Sequence, residues 1–455
     1  MAKVCEDVLL AGFSRVNITP PMGIGIYGYA FMRYADGVLD DLEVNTIAFS
    51  QKGNRVLIMS LDICEAVQEE MDKFRFAISE AVNVPADAIF LSATHTHTSP
   101  VITENGEGEI EKAYFYELRD KLILSAKMAL DDLKPARMGW ATGYVPHVSN
   151  CRRFRMKDGS IRTNPGIGNP DILEPLGVVD KTMNVLRFDR ENADTIVLVN
   201  FGGHPDAIGG NKISADWPGF ARRTFESCIP DAKCIFLNGA QGDAGHLDVA
   251  AKGGDFNDLK KDFDDVYRSY SFARRKGRIL AGSVLQVYDI VNYVDVDRVL
   301  FGQKVIKVPS NMPTQEELKQ ARIYHALHTA GKDDEIPFSG MMKTTVIFES
   351  ARMVRLEHGP ETFDLLLSAI VIGDVAFLGL PGEPFSQIGQ EIKKSEGWTM
   401  VCPISLTNGG EAYFPTTEAY AQGGYEVASC IYKAGVAERL VEEGRALLAE
   451  LAEKD

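Results

Sequence analysis

Short apolar runs alternate with helical repeats along most of the chain. Strand-like runs cover 56–61, 88–93, 195–200 and 233–237. Apolar residues with a helical spacing follow the first run, and further helical patterns cover 110–132, 216–228, 261–290, 384–395 and 426–452. Strands that alternate with helices are typical of an α/β protein.

The second half of the chain adds further strand patterns, at 296–308, 344–357 and 363–380. Gly373-Asp374 interrupts the last one, which predicts two strands joined by a tight turn. Long surface loops are expected at 145–178, 248–262 and 330–342, and no linker is evident. The pattern therefore predicts one α/β domain over 1–455, with mixed sheets flanked by helices.

Composition and charge argue against nucleic acid and membranes as binding partners. With 45% hydrophobic and 25% charged residues the chain is of globular type, and its net charge of -16 argues against nucleic acid. No run approaches the roughly 20 apolar residues of a membrane span, so no stable membrane insertion is expected. The N-terminus lacks a signal pattern and the seven cysteines lack a CxxC pair, which favours a cytoplasmic location with free thiols. The oligomeric state is not predicted.

Two of the eight histidines, His95 and His97, stand in LSATHTHTSP directly after an apolar run. If strand geometry persists there, both side chains point to the same side. Two imidazoles at a strand end bind a metal, or one binds while the other transfers protons. The alternative is a pair of polar residues that merely end the strand.

Other polar residues follow strand-like runs in the same way. His204 comes after Gly202 and Gly203, which permit close backbone approach, and Glu383 lies in LPGEPF. Open α/β sheets place their sites at strand ends, so the three histidines are expected to meet at one edge. Glu383 is either part of that site or a charge at a helix N-terminus. Asp243 either orients a histidine or caps a helix.

Several familiar motifs are missing from the sequence. There is no HExxH of a zincin, no GxSxG of a nucleophile-elbow hydrolase, and no GxxxxGK[ST] of a phosphate-loop NTPase. GIGIYG, at 23–28, lacks the preceding strand that a nucleotide-binding turn requires. These absences leave the histidine-rich segments as the main chemical signal.

In their order along the chain, these segments resemble the catalytic domain of the neutral/alkaline (non-lysosomal) ceramidase family. The correspondence runs from AGFSRVNITPP near residue 11 to GYEVASCIYKAG near residue 435. Its most specific pieces are THTHTSP, GGHPDAIGG followed by SADWPG, LPGEPF, and NGGEAYFPTTEAYAQGGYE. The resemblance implies the family's mixed α/β fold and a zinc-dependent hydrolase of amide bonds.

The resemblance also assigns roles to individual residues. It implies a Zn²⁺ site with the ligands His95, His204, Glu383 and Tyr413. It places His97 beside the metal as the proton-transferring residue and Tyr425 against the reacting amide. A family arginine falls on Arg152, with Arg153 and Arg155 as alternatives.

The chain departs from the family pattern in ways that bear on mechanism and substrate. Gly245 stands where the ceramidases carry a serine once proposed as nucleophile, which favours a metal-activated water. A sandwich-like C-terminal domain and a secretion signal are not expected, which weakens the case for a membrane lipid substrate. The leading hypothesis is a zinc amidase of an N-acyl compound. The alternatives are a zinc hydrolase of ester, lactone or glycosidic bonds in a soluble small molecule, and a non-catalytic binding protein.

Overall fold

A computed structural model of the protein describes residues 8–105, 108–250 and 268–454. Its strands, in chain order, are β1 (Leu10–Asn17), β2 (Gly25–Ile26), β3 (Arg33–Tyr34), β4 (Gly37–Val38), β5 (Glu43–Gln51), β6 (Asn54–Leu61), β7 (Ile89–Ala93), β8 (Lys134–Tyr144), β9 (Asn150–Cys151), β10 (Arg153–Met156), β11 (Ile161–Thr163), β12 (Ile172–Pro175), β13 (Thr182–Arg190), β14 (Thr195–Phe201), β15 (Lys212–Ile213), β16 (Ala232–Asn238), β17 (Ala244–Gly245), β18 (Asn292–Val294), β19 (Val299–Pro309), β20 (Thr362–Ile372), β21 (Val375–Gly379), β22 (Glu383–Pro384), β23 (Met400–Ile404) and β24 (Tyr413–Phe414). Its α-helices are α1 (Gln68–Val82), α2 (Glu109–Asp131), α3 (Asp216–Cys228), α4 (Tyr270–Tyr288), α5 (Gln315–Thr329), α6 (Gly340–Leu356), α7 (Ser386–Ile392), α8 (Thr417–Gln422), α9 (Tyr425–Ala428) and α10 (Val436–Ala452).

Two mixed sheets carry the fold. The larger has the strand order β16-β14-β13-β8-β1-β5-β6-β7, with β18 beside β8, and the smaller has the order β19-β20-β21-β23. Most neighbours are antiparallel, but β14–β16, β6–β7 and β21–β23 are parallel. All of these parallel strands except β23 fall in apolar runs that the sequence analysis singled out, as expected for strands buried on both faces. The predicted mixed α/β class is confirmed.

The parallel pairs converge on one buried residue, Asn238, at the end of β16. Its side-chain amide donates to the carbonyl oxygens of Thr94 and Gly203, each at 3.1 Å. The backbone carbonyl of Asn238 accepts from the backbone N–H of Ser405 at 2.9 Å. Ser405 directly follows β23, a strand of the smaller sheet. These hydrogen bonds connect the carboxyl ends of β7, β14, β16 and β23. The loops that follow these four strands therefore lie close together.

Several elements agree with the sequence patterns and one does not. The 363–380 run forms β20 and β21 around a turn at Gly373 (φ 59°). The predicted strand at 344–357 is wrong, because this segment belongs to α6. Four of its five buried residues recur every three positions, at Ile347, Ser350, Met353 and Leu356, and Met353 packs on α5. The long segment 145–178 contains short strands instead of an open loop.

Part of the sequence interpretation lies outside the described residues. The expected loop at 248–262 is described only up to residue 250, and the helix expected at 261–290 is described from residue 268 onward. The six cysteines in the described ranges are free. No helix in those ranges combines the length and apolar character needed to cross a bilayer.

Lys276 is a buried cation on α4 that holds the loop before β9. Its ammonium group donates to the carbonyl oxygens of His147, at 3.1 Å, and Val148, at 2.6 Å. Burial, aided by the nearby Arg275, lowers the pKa of Lys276 to about 7. A lysine in the unfolded chain has a pKa near 10.4. Between about pH 7 and 10.4 the unfolded state therefore binds more protons than the folded state.

We therefore expect the free energy of unfolding to rise with pH above about 7, by up to about 1.4 kcal/mol per pH unit from this group. Replacing Lys276 with methionine removes that contribution, so the wild type gains stability relative to the variant as pH rises. Urea unfolding at several pH values measures the difference. Lys127→Met, at an exposed position of α2, is the control and should follow the wild type. A constant difference between Lys276→Met and the wild type would contradict the expectation.

Candidate metal centre and catalytic site

The segment after β7 turns His95 into the interior. The backbone N–H groups of Thr94 and His95 donate to the carbonyls of Leu61 and Ile63, at 2.8 and 2.9 Å. His95 itself has φ 75°, in the left-handed region that non-glycine residues seldom adopt. The extended geometry assumed from the sequence therefore ends before His95. Its ring still meets the ring of His97, with the centroids 4.8 Å apart.

Three histidines in this region have the same backbone support. The Nδ1 atoms of His95, His97 and His204 lie 2.9, 3.0 and 2.9 Å from the carbonyl oxygens of Cys64, Gly28 and Gln241. Because a carbonyl oxygen only accepts, each Nδ1 carries the proton. In the neutral ring this leaves the Nε2 lone pair free for a metal or a proton.

The Nε2 atoms face one another around the Glu383 carboxylate. The Nε2 of His95 lies 3.3 Å from that of His204 and 3.3 Å from that of His97. Glu383 Oε2 lies 3.2 Å from His95 Nε2 and 3.1 Å from His204 Nε2. Ligand atoms of His95, His204 and Glu383 all fall within 4.8 Å of one another, and all three residues are buried.

The donor chemistry of this cluster fits a divalent cation. Apart from these two imidazoles, Glu383 Oε2 has no hydrogen-bond partner among the described residues, although the atom is buried. Buried polar atoms without partners are rare, and two neutral imidazoles with a carboxylate are a familiar zinc-ligand set. We refer to His95, His204 and Glu383 as the ligand cluster.

His95 and Glu383 stabilise each other's charged form when no cation lies between them. Burial disfavours charge on both groups, yet the Glu383 carboxylate raises the pKa of His95 well above its usual range. His95 in turn holds the pKa of Glu383 well below its usual range. Burial and the neighbouring Arg152 lower the pKa of His204 to about 4, so that ring is neutral.

Tyr413 is brought beside the cluster by a strand pair. β22 and β24 are parallel, and Glu383 is the register partner of Tyr413. The Tyr413 ring stacks on His204, with centroids 6.5 Å apart, and meets Tyr425 edge-on at 5.7 Å. The structure therefore gathers both tyrosines singled out in the sequence on one side of the ligand cluster.

Of the three candidate arginines, Arg152 reaches the cluster. Its Nη1 lies 3.0 Å from His204 Nε2, its Nη2 donates to the carbonyl of Gly242 at 2.6 Å, and its guanidinium lies 5.2 Å from the centre of the Tyr413 ring. Arg153 is buried and donates to the carbonyl of Gly423, and Arg155 pairs with Glu174 near the surface. Gly245 lies beneath Arg152, where a Cβ atom would come within 2.9 Å of the Arg152 Cβ.

His97 lies against a second polar group that the sequence did not reveal. Its Nδ1 is 4.0 Å from Asp206 Oδ1, and this carboxylate accepts from the Tyr29 hydroxyl and from Arg268, each at 2.7 Å. Burial lowers the pKa of His97 well below its usual range. A neutral imidazole with a free Nε2 can accept a proton. The signal for Asp206 was its place two residues after His204.

Asp243 takes the second of its two predicted roles. Its Oδ1 accepts from the backbone N–H and the hydroxyl of Ser386, both at 2.7 Å, where α7 begins. Asp243 therefore caps α7 from a neighbouring loop. The ring of His204 is oriented by the carbonyl of Gln241 instead.

Gly28 sets the position of His97 from the opposite side. Its φ is +109°, and a Cβ atom there would approach His97 Nδ1 to 2.8 Å. We expect Gly28→Ala to displace His97 and to lower kcat about 10- to 100-fold. Turnover and thermal unfolding, measured in parallel, test this.

Gly166 offers a matched control for Gly28. Its φ is +101° and nothing lies within 4 Å of its added Cβ atom. Gly166→Ala should therefore lose a similar stability, about 1–2 kcal/mol, with kcat unchanged. Equal kcat values for the two variants would refute the role given to Gly28.

Fold and site together define an α/β protein with a buried His-His-Glu cluster at the carboxyl ends of parallel strands. No protein-family model and no curated protein sequence matches the chain. Among solved structures, the neutral ceramidase from Pseudomonas aeruginosa matches with a TM-score of 0.73 over 98% of this chain and 75% of that chain, at 18% identity. A ceramidase complexed with C2 matches with a TM-score of 0.73 and the same coverage, at 16% identity. The resemblance seen in the motifs is thus confirmed in the fold, which is that of a neutral ceramidase.

Proposed function

We propose that the protein is a zinc-dependent hydrolase that cleaves the amide bond of an N-acyl substrate. The observation that carries the proposal is the ligand cluster, in which two imidazole Nε2 atoms lie 3.2 and 3.1 Å from one oxygen of a buried carboxylate. The neutral ceramidase fold supports an amide as the scissile bond. We further propose a single domain and a cytoplasmic location.

The residues around the cluster fit this chemistry. His95, His204, Glu383 and Tyr413 would hold the metal, and the metal would act as a Lewis acid that polarises a carbonyl and lowers the pKa of water from 15.7 to about 7. Neutral His97 accepts a proton at Nε2 and returns it to the nitrogen of the leaving amine.

Negative charge would develop on the amide oxygen during the reaction, and Arg152 and Tyr425 are the candidates to stabilise it. Both side chains are beside Tyr413, and the Arg152 guanidinium is already aimed at His204. Hydrogen bonds to such an oxygen are worth about 2.7–4 kcal/mol of transition-state stabilisation each. We assign this role to the two side chains.

A metal assay combined with a substrate panel tests the proposal. The purified protein should contain about one zinc ion per chain by mass spectrometry. It should hydrolyse N-acyl amines faster than the matched O-acyl esters, glycosides and lactones, and a chelator should abolish the activity. Preference for an ester or a glycoside would reassign the bond. A protein that binds no metal and hydrolyses none of these compounds would contradict the proposal.

A further inference from the structure

Two buried arginines share one buried carboxylate next to the candidate site. Glu426 is fully buried, and Arg152 and Arg153 are 5% and 3% exposed. Glu426 Oε1 lies 2.7 Å from Arg152 Nε, and its Oε2 lies 3.6 Å from Arg153 Nε. Thr163 donates its hydroxyl to the same carboxylate, at 3.0 Å from Oε2. Within residues 8–105, 108–250 and 268–454, the ion pairs of Glu426 are with these two guanidinium groups.

The carboxylate also belongs to the segment that carries Tyr425. Two glycines with positive φ, Gly423 (82°) and Gly424 (102°), lead into the single turn of α9. Arg153 Nη2 donates to the carbonyl of Gly423 at 2.7 Å, and Arg352 Nε donates to the carbonyl of Ala428 at 2.8 Å. A helix of four residues has little stability of its own, so these contacts hold it in place.

Glu426 leaves two of the three nitrogen atoms of the Arg152 guanidinium group free for other contacts. Two guanidinium groups and one carboxylate give these three buried side chains a net positive charge. Glu426 occupies the Nε edge of Arg152, while Nη1 and Nη2 point to His204 and Gly242. The ion pair holds the guanidinium group of Arg152 next to Glu426, because attraction between opposite charges is strong in a buried site.

We propose that Glu426 is a positioning residue that fixes Arg152 and Tyr425 in their orientation toward the reacting carbonyl. The proposal rests on the proposed function, and it adds a residue that touches neither the ligand cluster nor the substrate. Glu426 acts through Arg152 by the ion pair, and through Tyr425 because the two residues are adjacent in α9.

Replacing Glu426 with glutamine should lower kcat about 10- to 100-fold and change KM by less than about threefold, because the lost interaction is made in the transition state. Glu426→Asp keeps the charge but is one methylene shorter, so its kcat should lie between the two. Glu418→Gln, an exposed position of α8, makes the same chemical change without contacting an arginine and should behave as the wild type. If Glu426→Gln does not fold, Glu426→Asp decides, and a kcat equal to that of the wild type overturns the proposal.

A double-mutant cycle separates positioning from general stability. In an Arg152→Ala background, Glu426→Gln should reduce kcat by less than about twofold further, because the residue through which it acts is already absent. A loss that multiplies with the Arg152→Ala loss would show that Glu426 acts by another route.

A labelling experiment keeps this test independent of the reaction. Phenylglyoxal, a reagent selective for arginine, should leave Arg152 unmodified in the wild type and modify it in Glu426→Gln, as read by peptide mass spectrometry. Equal protection of Arg152 in both proteins would overturn the positioning role even in an active enzyme. A wild type that hydrolyses no N-acyl compound, with Arg152 labelled only in the variant, would overturn the proposed function alone.

Discussion

Glu383→Gln should lose both the metal and the activity. The amide that replaces the carboxylate removes the negative charge between His95 and His204, where Oε2 lies 3.2 and 3.1 Å from the two Nε2 atoms. We expect zinc content near zero after dialysis and a fall in kcat/KM on the order of 10³-fold or more, since the Lewis-acid chemistry goes with the metal. Atomic mass spectrometry and turnover measure the two losses.

Thermal unfolding supplies a readout that does not depend on activity. A ligand that binds only the folded state stabilises it, by about 2.7 kcal/mol at 100 times its dissociation constant. Zinc should therefore raise the Tm of the wild type and leave that of Glu383→Gln unchanged. Glu411→Gln is the matched control, because Glu411 lies close by and accepts from the backbone N–H of Gln68. Full zinc occupancy with normal turnover in Glu383→Gln would rule out the assigned ligand.

Asp62→Asn should cause the largest loss of stability. Asp62 forms a bidentate pair with Arg222, at 3.0 and 2.6 Å, and both side chains are buried. It also accepts from the backbone N–H of Glu43 and the hydroxyl of Thr94. Removing one partner of a buried pair leaves an uncompensated charge and costs about 3–5 kcal/mol. Urea unfolding of the metal-free proteins measures this loss.

Glu43→Gln is the control for this pair. Glu43 Oε2 lies 3.3 Å from Arg222 Nη2, but its side chain is 21% exposed. A partly exposed ion pair is worth about 0–1 kcal/mol, so this variant should stay near the wild type. If Asp62→Asn loses no more than Glu43→Gln, the pair with Arg222 does not stabilise the fold as argued. Because Thr94 precedes His95, Asp62→Asn should also weaken zinc binding.

The sequence located the histidines but gave the wrong geometric reason for their meeting. A continued strand would have aligned His95 with His97, whereas the strand ends at Ala93 and His95 adopts a left-handed conformation. The strands that precede these histidines, β7 and β14, are also not neighbours in the sheet. Asn238 joins their carboxyl ends, and no local pattern signals that a buried asparagine connects three strands.

Other elements lay beyond local patterns for physical reasons. Strands β1, β8 and β13 were not predicted, since their alternation is interrupted by glycine, proline or charged residues that antiparallel pairing tolerates. Strand β5 was not predicted either. The segment 344–357 is rich in β-branched and aromatic residues, which favour strands, but its packing on α5 stabilises a helix.

By itself the sequence determined the α/β class and the ends of β6, β7, β14 and β16. It also singled out the histidines, the carboxylate and the tyrosines, because these follow from local periodicity and from motif order. Only the tertiary structure decided that His95, His204 and Glu383 point at one another, that Arg152 and not Arg155 reaches them, and that Asp206 and Glu426 stand behind His97 and Arg152. Those relations join residues far apart in sequence, and they depend on strand order and on buried charges that must find partners. The pattern of residues along the chain shows neither the strand order nor the partners of the buried charges.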